Sequence, residues 1–164
     1  MQEYPTDVYK NWMETLAKWV TMMFRVGKEV AGETYVQNLE KEFHKYGVKV
    51  GPSYAAQMGE TGTDCISIGR ILDKSDESLG CYWEGHIENS ATAYEKRVIS
   101  CPVAQTLSRE PEICLRLLNS SAQGIINSIN PNARYYPMDE CIANGDNSCH
   151  ARVELSLKSG KVDS

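Results

Sequence analysis

No stretch of lysine and arginine gathers anywhere in these 164 residues, and the 17 basic side chains are outnumbered by 22 acidic ones, a formal charge of −5. A surface that neutralises phosphates needs such a stretch, so nucleic acid and anionic membrane surfaces are not expected partners. Long apolar runs are missing too. Trp19 to Phe24 is broken by Thr21, far short of the roughly 18 residues that span a bilayer. Residues 1–7 carry no basic region followed by an apolar one, so a secretory leader is not expected and the cytoplasm is the expected compartment. No CxxC pair occurs among the six cysteines, which disfavours iron–sulfur ligation. In a reducing compartment the six read as thiols, core residues, metal ligands or nucleophiles rather than as disulfides.

What is present is one domain's worth of patterned chain. Pro5-Thr6-Asp7 is a helix start, and Val8, Trp12, Leu16, Trp19/Val20 and Met23 recur at helical spacing, predicting an aromatic face that packs on the core or on a second copy. Val36, Leu39, Phe43 and Tyr46 continue a helical stripe, with Gly47 read as its stop. Short helices are predicted over 53–58 and 64–73, with Thr63 or Asp64 as cap. The polar turn Gly59 to Cys65 contains no lysine and is not a phosphate-binding loop.

The period then changes to two. Leu79, Cys81, Trp83, Gly85 and Ile87 alternate with Tyr82, Glu84, His86 and Glu88, and 94–100 alternates again across Asn89-Ser90-Ala91-Thr92, predicting a hairpin. A short helix is expected over 102–107. Pro111 opens a long helix through Leu115, Leu118, Ala122, Ile125 and Ile129, stopped at Asn130-Pro131. Strands over 133–141 and 148–155 form a second hairpin. The expected fold is therefore α+β: N-terminal helices packed on an antiparallel sheet made of two hairpins separated by a long helix, a single domain over 1–156 with a polar tail over 157–164.

On this scheme Cys149 faces the core with Val153, Cys114 lies on the apolar stripe of the long helix, and Cys141 closes the paired strand. Three thiols thus converge, either as small core residues or as zinc ligands completed by Asp139, Glu140 or His150. A reaction centre would draw on Asp64, Cys65, Glu84, His86 and Cys101. Glu84 and His86 lie two apart, so they project together, and Cys101 before Pro102 opens a helix, where a thiol pKa is lowered. Trp83 and Tyr135 would wall a pocket for a ring-shaped ligand.

The series Cys101-Pro102, Cys114, Asn130-Pro131 and Gly145-Asp-Asn-Ser-Cys149 resembles the C-terminal half of the L-2-amino-thiazoline-4-carboxylic acid hydrolase family. Glu140-Cys141-x-x-x-Gly145-x-x-x-Cys149 is similar to the closing motif of the 4-vinyl reductase domain family. The first resemblance implies addition of water to the C=N bond of a small cyclic substrate, with His86 or Asp64 activating water and Cys101 as nucleophile or pocket thiol. The second implies a non-catalytic sensor or carrier of a small molecule, with structural zinc on Cys114, Cys141 and Cys149 and Asp139 or Glu140 as the acidic ligand. In either case Trp83, Glu84 and Tyr135 are the expected ligand contacts, and a homodimer through the first helix is the expected assembly.

Overall fold

A computed structural model describes residues 6–156; the predicted tail over 157–164 lies outside them. Helix α1 (Thr6–Met58) is two arms meeting at Gly32, whose backbone (φ 60, ψ −146) is not helical. That conformation is open essentially to glycine alone, and it bends the second arm so that the Tyr35 ring covers Gly27 and its hydroxyl donates to the Met23 carbonyl at 3.4 Å. The second arm runs on through Pro52, absorbing the separate helix expected over 53–58. Helix α2 (Cys65–Ser78) follows, then β1 (Tyr82–Asn89), β2 (Ala93–Ser100) and the short α3 (Ala104–Leu107). A π-helical turn (Ile113–Leu118) leads directly into α4 (Asn119–Ile129), and β3 (Ala133–Tyr136), a 3-10 turn (Ile142–Asn144) and β4 (Cys149–Leu155) complete the chain.

The expected architecture holds. Four antiparallel strands lie in the order β1-β2-β4-β3, so the two hairpins join through β2 and β4. Period two sets the faces: Tyr94, Val98 and Val153 turn inward under α2 and α4, where they meet Ile68, Ile71 and Ile126. Glu95, Arg97, His150 and Arg152 register with one another on the opposite face. A second apolar cluster joins both arms of α1 to α3 and the π-helical turn, through Phe24, Val36, Leu107, Ile113 and Leu117.

Three sequence expectations are corrected. Gly47 does not stop a helix; it lies inside α1, and with Gly51 it lets α4 approach so closely that a Cβ at Gly47 would overlap the Ser121 carbonyl oxygen. The third strand ends at Tyr136 rather than 141, because Pro137 cannot donate to the ladder. The first arm of α1 also turns a different face inward. Met13, Ala17, Val20 and Phe24 pack on the core, whereas Tyr9, Trp12, Leu16, Trp19, Met23, Val26 and Val30 stand at the surface.

Candidate functional site

Helix α2 and the first hairpin enclose a charged cluster. Lys96 shares the inward parity of Tyr94 and Val98, and its side chain is 0% exposed. Nζ donates to Asp73 Oδ1 and Asp76 Oδ2, both at 2.7 Å, and sits 3.8 Å from the Trp83 ring centroid. Asp73 also accepts from the Tyr94 hydroxyl at 2.5 Å and meets His86 Nε2 at 2.9 Å. Burial raises the Asp76 pKa, opposed by the Lys96 ammonium, and burial likewise pushes the Tyr94 hydroxyl up. A buried ammonium held by two carboxylates and an aromatic face meets the pairing a desolvated charge requires.

This cluster redefines His86 and Glu84. Trp83 pairs with Val98 and His86 with Lys96, so β1 spends three steps where β2 spends two, and the extra residue puts His86 on the face opposite to the one simple alternation gives it. His86 therefore joins Trp83 on the α2 side, its ring 5.3 Å from that of Tyr94, while Glu84 stays exposed at the edge. The expectation that Glu84 and His86 project together is overturned by this bulge.

Asp64 caps α2, its carboxylate accepting from Ser67 N–H at 2.9 Å, and those amide bonds lower its pKa. Cys65 is buried beside it, with its amide on the Ala91 carbonyl at the hairpin turn. Cys101 lies at the far end of the same hairpin, beyond Ser100. Seven steps of β2, about 23 Å, separate the two ends, so Asp64 and Cys101 do not share a site, and His86, paired with Lys96, lies between them. Asp64→Ala is expected to lower stability at neutral pH and to change nothing well below pH 3.8. A depressed folded pKa contributes only above the unfolded value and is lost as pH falls through the folded one. Urea unfolding at the two pH values checks this.

Three thiols do adjoin. Cys114 in the π-helical turn and Cys149 on β4 neighbour Cys141, and the interaction among the three thiols lowers the Cys141 pKa and raises the other two. The Ile142 amide donates to Cys149 Sγ at 3.3 Å. The acidic partner is elsewhere: Glu140 takes Arg97 at 3.2 Å and Ser148 at 2.5 Å, and Asp139 takes His150 Nδ1 at 2.6 Å. Those carboxylates are held on the wet face of the sheet, and His150 is spent on Asp139 and Glu95. Among the described residues no set of three or more His, Cys, Asp or Glu side chains is arranged to hold a metal.

A hollow of about 260 Å³ opens between the second arm of α1, α4 and β3. Tyr135, Leu115 and Pro137 give it apolar walls; Glu40, Arg116, Asn119, Ser120 and Gln123 supply the polar ones. Four of the five Arg116 N–H donors are taken. Glu40 takes two of its bonds at 2.8 Å and Glu33 two more, the hydrogen bonds that raise its pKa. Asn119 donates Nδ2 to the Leu115 carbonyl at 2.9 Å, which fixes the amide orientation, and its buried Oδ1 has no partner. Tyr135, a predicted ligand contact, is thus in the cleft. Trp83 and Glu84 lie three strands away on β1, about 14 Å. Asn119 and Arg116 were missed because both sit on a helix whose polar positions carry no spacing signal.

No protein-family model matches the chain, and no curated protein sequence matches it. Its fold has solved counterparts. A trafficking protein particle complex subunit 3 from Naegleria fowleri, covalently bound to palmitic acid, superposes with a TM-score of 0.63 at 16% identity, over 93% of this chain and 97% of that one. The phenol-responsive sensory domain of the transcription activator PoxR, with phenol, superposes at 0.58 and 11% identity, over 85% and 74%. These similarities show a shared small α+β fold.

Proposed function

We propose that this chain is a small-molecule-binding domain rather than a hydrolase, and that its site is the cleft beside Tyr135. The observation that carries this reading is the cleft's lining: aromatic and aliphatic walls, a guanidinium already held by the Glu40 and Glu33 carboxylates, and a buried amide oxygen without a donor. An unpaired buried acceptor costs roughly 1–3 kcal/mol, a cost that a ligand hydroxyl or amine removes. The favoured ligand is accordingly a small, neutral or cationic ring compound with a hydrogen-bond donor; a carboxylate such as an aminothiazoline carboxylate would face the Glu40 charge and find the Arg116 guanidinium already held by Glu40 and Glu33. The two solved counterparts, one holding phenol and the other palmitic acid, lend this class of function support. The hydrolytic reading loses the grouping of Asp64, His86 and Cys101 on which it depended.

Titration calorimetry with phenol, aniline and benzoate tests the reading. Phenol or aniline is expected to bind at least about tenfold more tightly than benzoate, a difference near 1.4 kcal/mol, and Ser120→Trp, which fills the cleft, is expected to abolish binding. Preference for benzoate, or binding indifferent to Ser120→Trp, sinks it. Incubation with aminothiazoline carboxylate followed by mass spectrometry is expected to show no gain of water.

The same domain is proposed to pair with a second copy through α1. Tyr9, Trp12, Leu16, Trp19, Met23, Val26 and Val30 follow one another in strict steps of three and four, and Trp12 is 58%, Trp19 54% and Val30 82% exposed. This is a period of 3.5, the repeat of a helix–helix seam. Seven such side chains leave apolar surface on the order of the roughly 800 Å² one partner contributes to a standard interface, more than a monomer ordinarily exposes. Sedimentation of the wild type at micromolar concentration is expected to give a dimer, and Trp12→Glu/Trp19→Glu a folded monomer. A monomeric wild type, or one that instead partitions onto lipid vesicles, overturns the pairing.

A further inference from the structure

Cys65, Cys81 and Cys101 are the thiols outside the Cys141 group, and Cys65 is fully buried. Cys81 immediately precedes β1 and Cys101 immediately follows β2. Tyr82 registers with Ser100, so Cys81 and Cys101 occupy the next position outward, directly across the mouth of the hairpin. The two do not exchange backbone hydrogen bonds. The Cys81 amide donates to Asp76 at 3.0 Å, and the Cys101 carbonyl accepts from Ala104 at 3.3 Å. They are thus a non-hydrogen-bonded cross-strand pair, the kind in which Cα atoms approach to about 4.5 Å and side chains lie closest. That separation falls inside the range a disulfide bridges without backbone movement. Both side chains are half-buried, and both are free thiols.

We propose that Cys101 and Cys81 form a peroxide-reactive dithiol, with Cys101 as the attacking sulfur and Cys81 as the resolving one. Cys101 is the better nucleophile of the pair. The neighbouring Cys81 thiol and the Val103 and Ala104 amides lower its pKa to about 7, while Cys81 is displaced upward. The oxidant class is a hydroperoxide. The Cys101 thiolate attacks the outer oxygen, forming an S–O bond and breaking the O–O bond; the alkoxide or hydroxide leaves and takes a proton, and sulfur loses two electrons. The Cys81 thiol then attacks that sulfur, forming S–S and breaking S–O, and its proton leaves with the hydroxyl as water. Two thiols and one hydroperoxide become a disulfide, an alcohol or water, and one further water. Cys65 and Cys141 are sealed from such a reagent by burial.

Trypsin separates the outcomes. Cleavage after Lys74, Lys96, Arg97 and Arg109 places Cys81 on peptide 75–96 and Cys101 on 98–109, whereas Cys141 and Cys149 share 135–152. After brief treatment of the folded, full-length protein with stoichiometric hydrogen peroxide, a non-reducing digest is expected to yield 75–96 linked to 98–109, lost on reduction. In Cys81→Ser the link vanishes and dimedone is expected to label 98–109, reporting a sulfenic acid with no resolving partner. In Cys101→Ser neither product forms. Iodoacetamide under native conditions near pH 7 is expected to alkylate Cys101 at least about tenfold faster than Cys81 in the untreated protein. Oxidation confined to 135–152, or a Cys81→Ser protein with native circular dichroism and no dimedone adduct, overturns the assignment.

Discussion

Replacing Lys96 by methionine is expected to destabilise the domain by about 3–5 kcal/mol, the range found when one partner of a buried ion pair is removed. Methionine matches the volume of the stem, so the loss is electrostatic rather than steric. Asp73 and Asp76 then face each other without the ammonium at 2.7 Å from each, and one of them must take up a proton to stay buried. Removal of the cation leaves the effect of burial on Asp76 unopposed and raises its folded pKa further above the unfolded one. The native state then binds more protons than the unfolded chain, and stability falls as pH rises through that interval. The deficit of Lys96→Met relative to wild type is accordingly smaller near pH 5 than near pH 8, which chemical denaturation at the two values measures. An equal deficit at both would mean that Lys96 acts through packing alone.

The second large effect is expected at the crossing of α1 and α4. A Cβ on Gly124 would overlap the His44 carbonyl oxygen and lie 3.0 Å from the Val48 nitrogen, both of them backbone. A side chain in the way swings aside; a helix backbone does not. Alanine favours an isolated helix by up to about 1 kcal/mol over glycine, yet Gly124→Ala is expected to cost about 3 kcal/mol net, since it forces apart the helices that Gly47 and Gly51 bring together. Stabilisation by this substitution would show that the crossing is loose. The same loss of contact would open the cleft, because Glu40 and Asn119 line it from the two helices concerned, so ligand binding is expected to weaken in parallel.

How far the sequence disclosed this molecule depended on the range of the interactions. Local chemistry was readable. Asp64 caps a helix because its side chain reaches an amide three residues on, and the two hairpins follow from alternation over a few residues. The inward parity of Tyr94, Lys96 and Val98 was also in plain view, although a lysine between two acidic and basic neighbours reads as a wet face until the carboxylates of α2 are seen beneath it. The bulge between Trp83 and His86 was not legible. Its only trace, Gly85, suits either a bulge or an ordinary strand position, and one extra residue separated Glu84 from His86. Gly47 misled for a similar reason: glycine ends a helix or lets another backbone close in, and only the position of α4 decides between them. The π-helical turn that carries Cys114 and Arg116 leaves no periodic mark at all.

The strand order has a consequence for how the protein is made. β4, the last strand along the chain, lies inside the sheet between β2 and β3, pairing Lys96 with Ala151 and Arg97 with His150 across more than fifty residues of intervening chain. While the ribosome is still short of Cys149, the first hairpin has one bare edge and β3 has no neighbour, so the half-made sheet offers unpaired backbone to any other strand. Such long-range closure is slow relative to helix formation. The helical arms of α1 thus have time to meet before the sheet can close, and the seam of tryptophan and methionine they expose would be present on nascent chains before the cleft they are to serve exists.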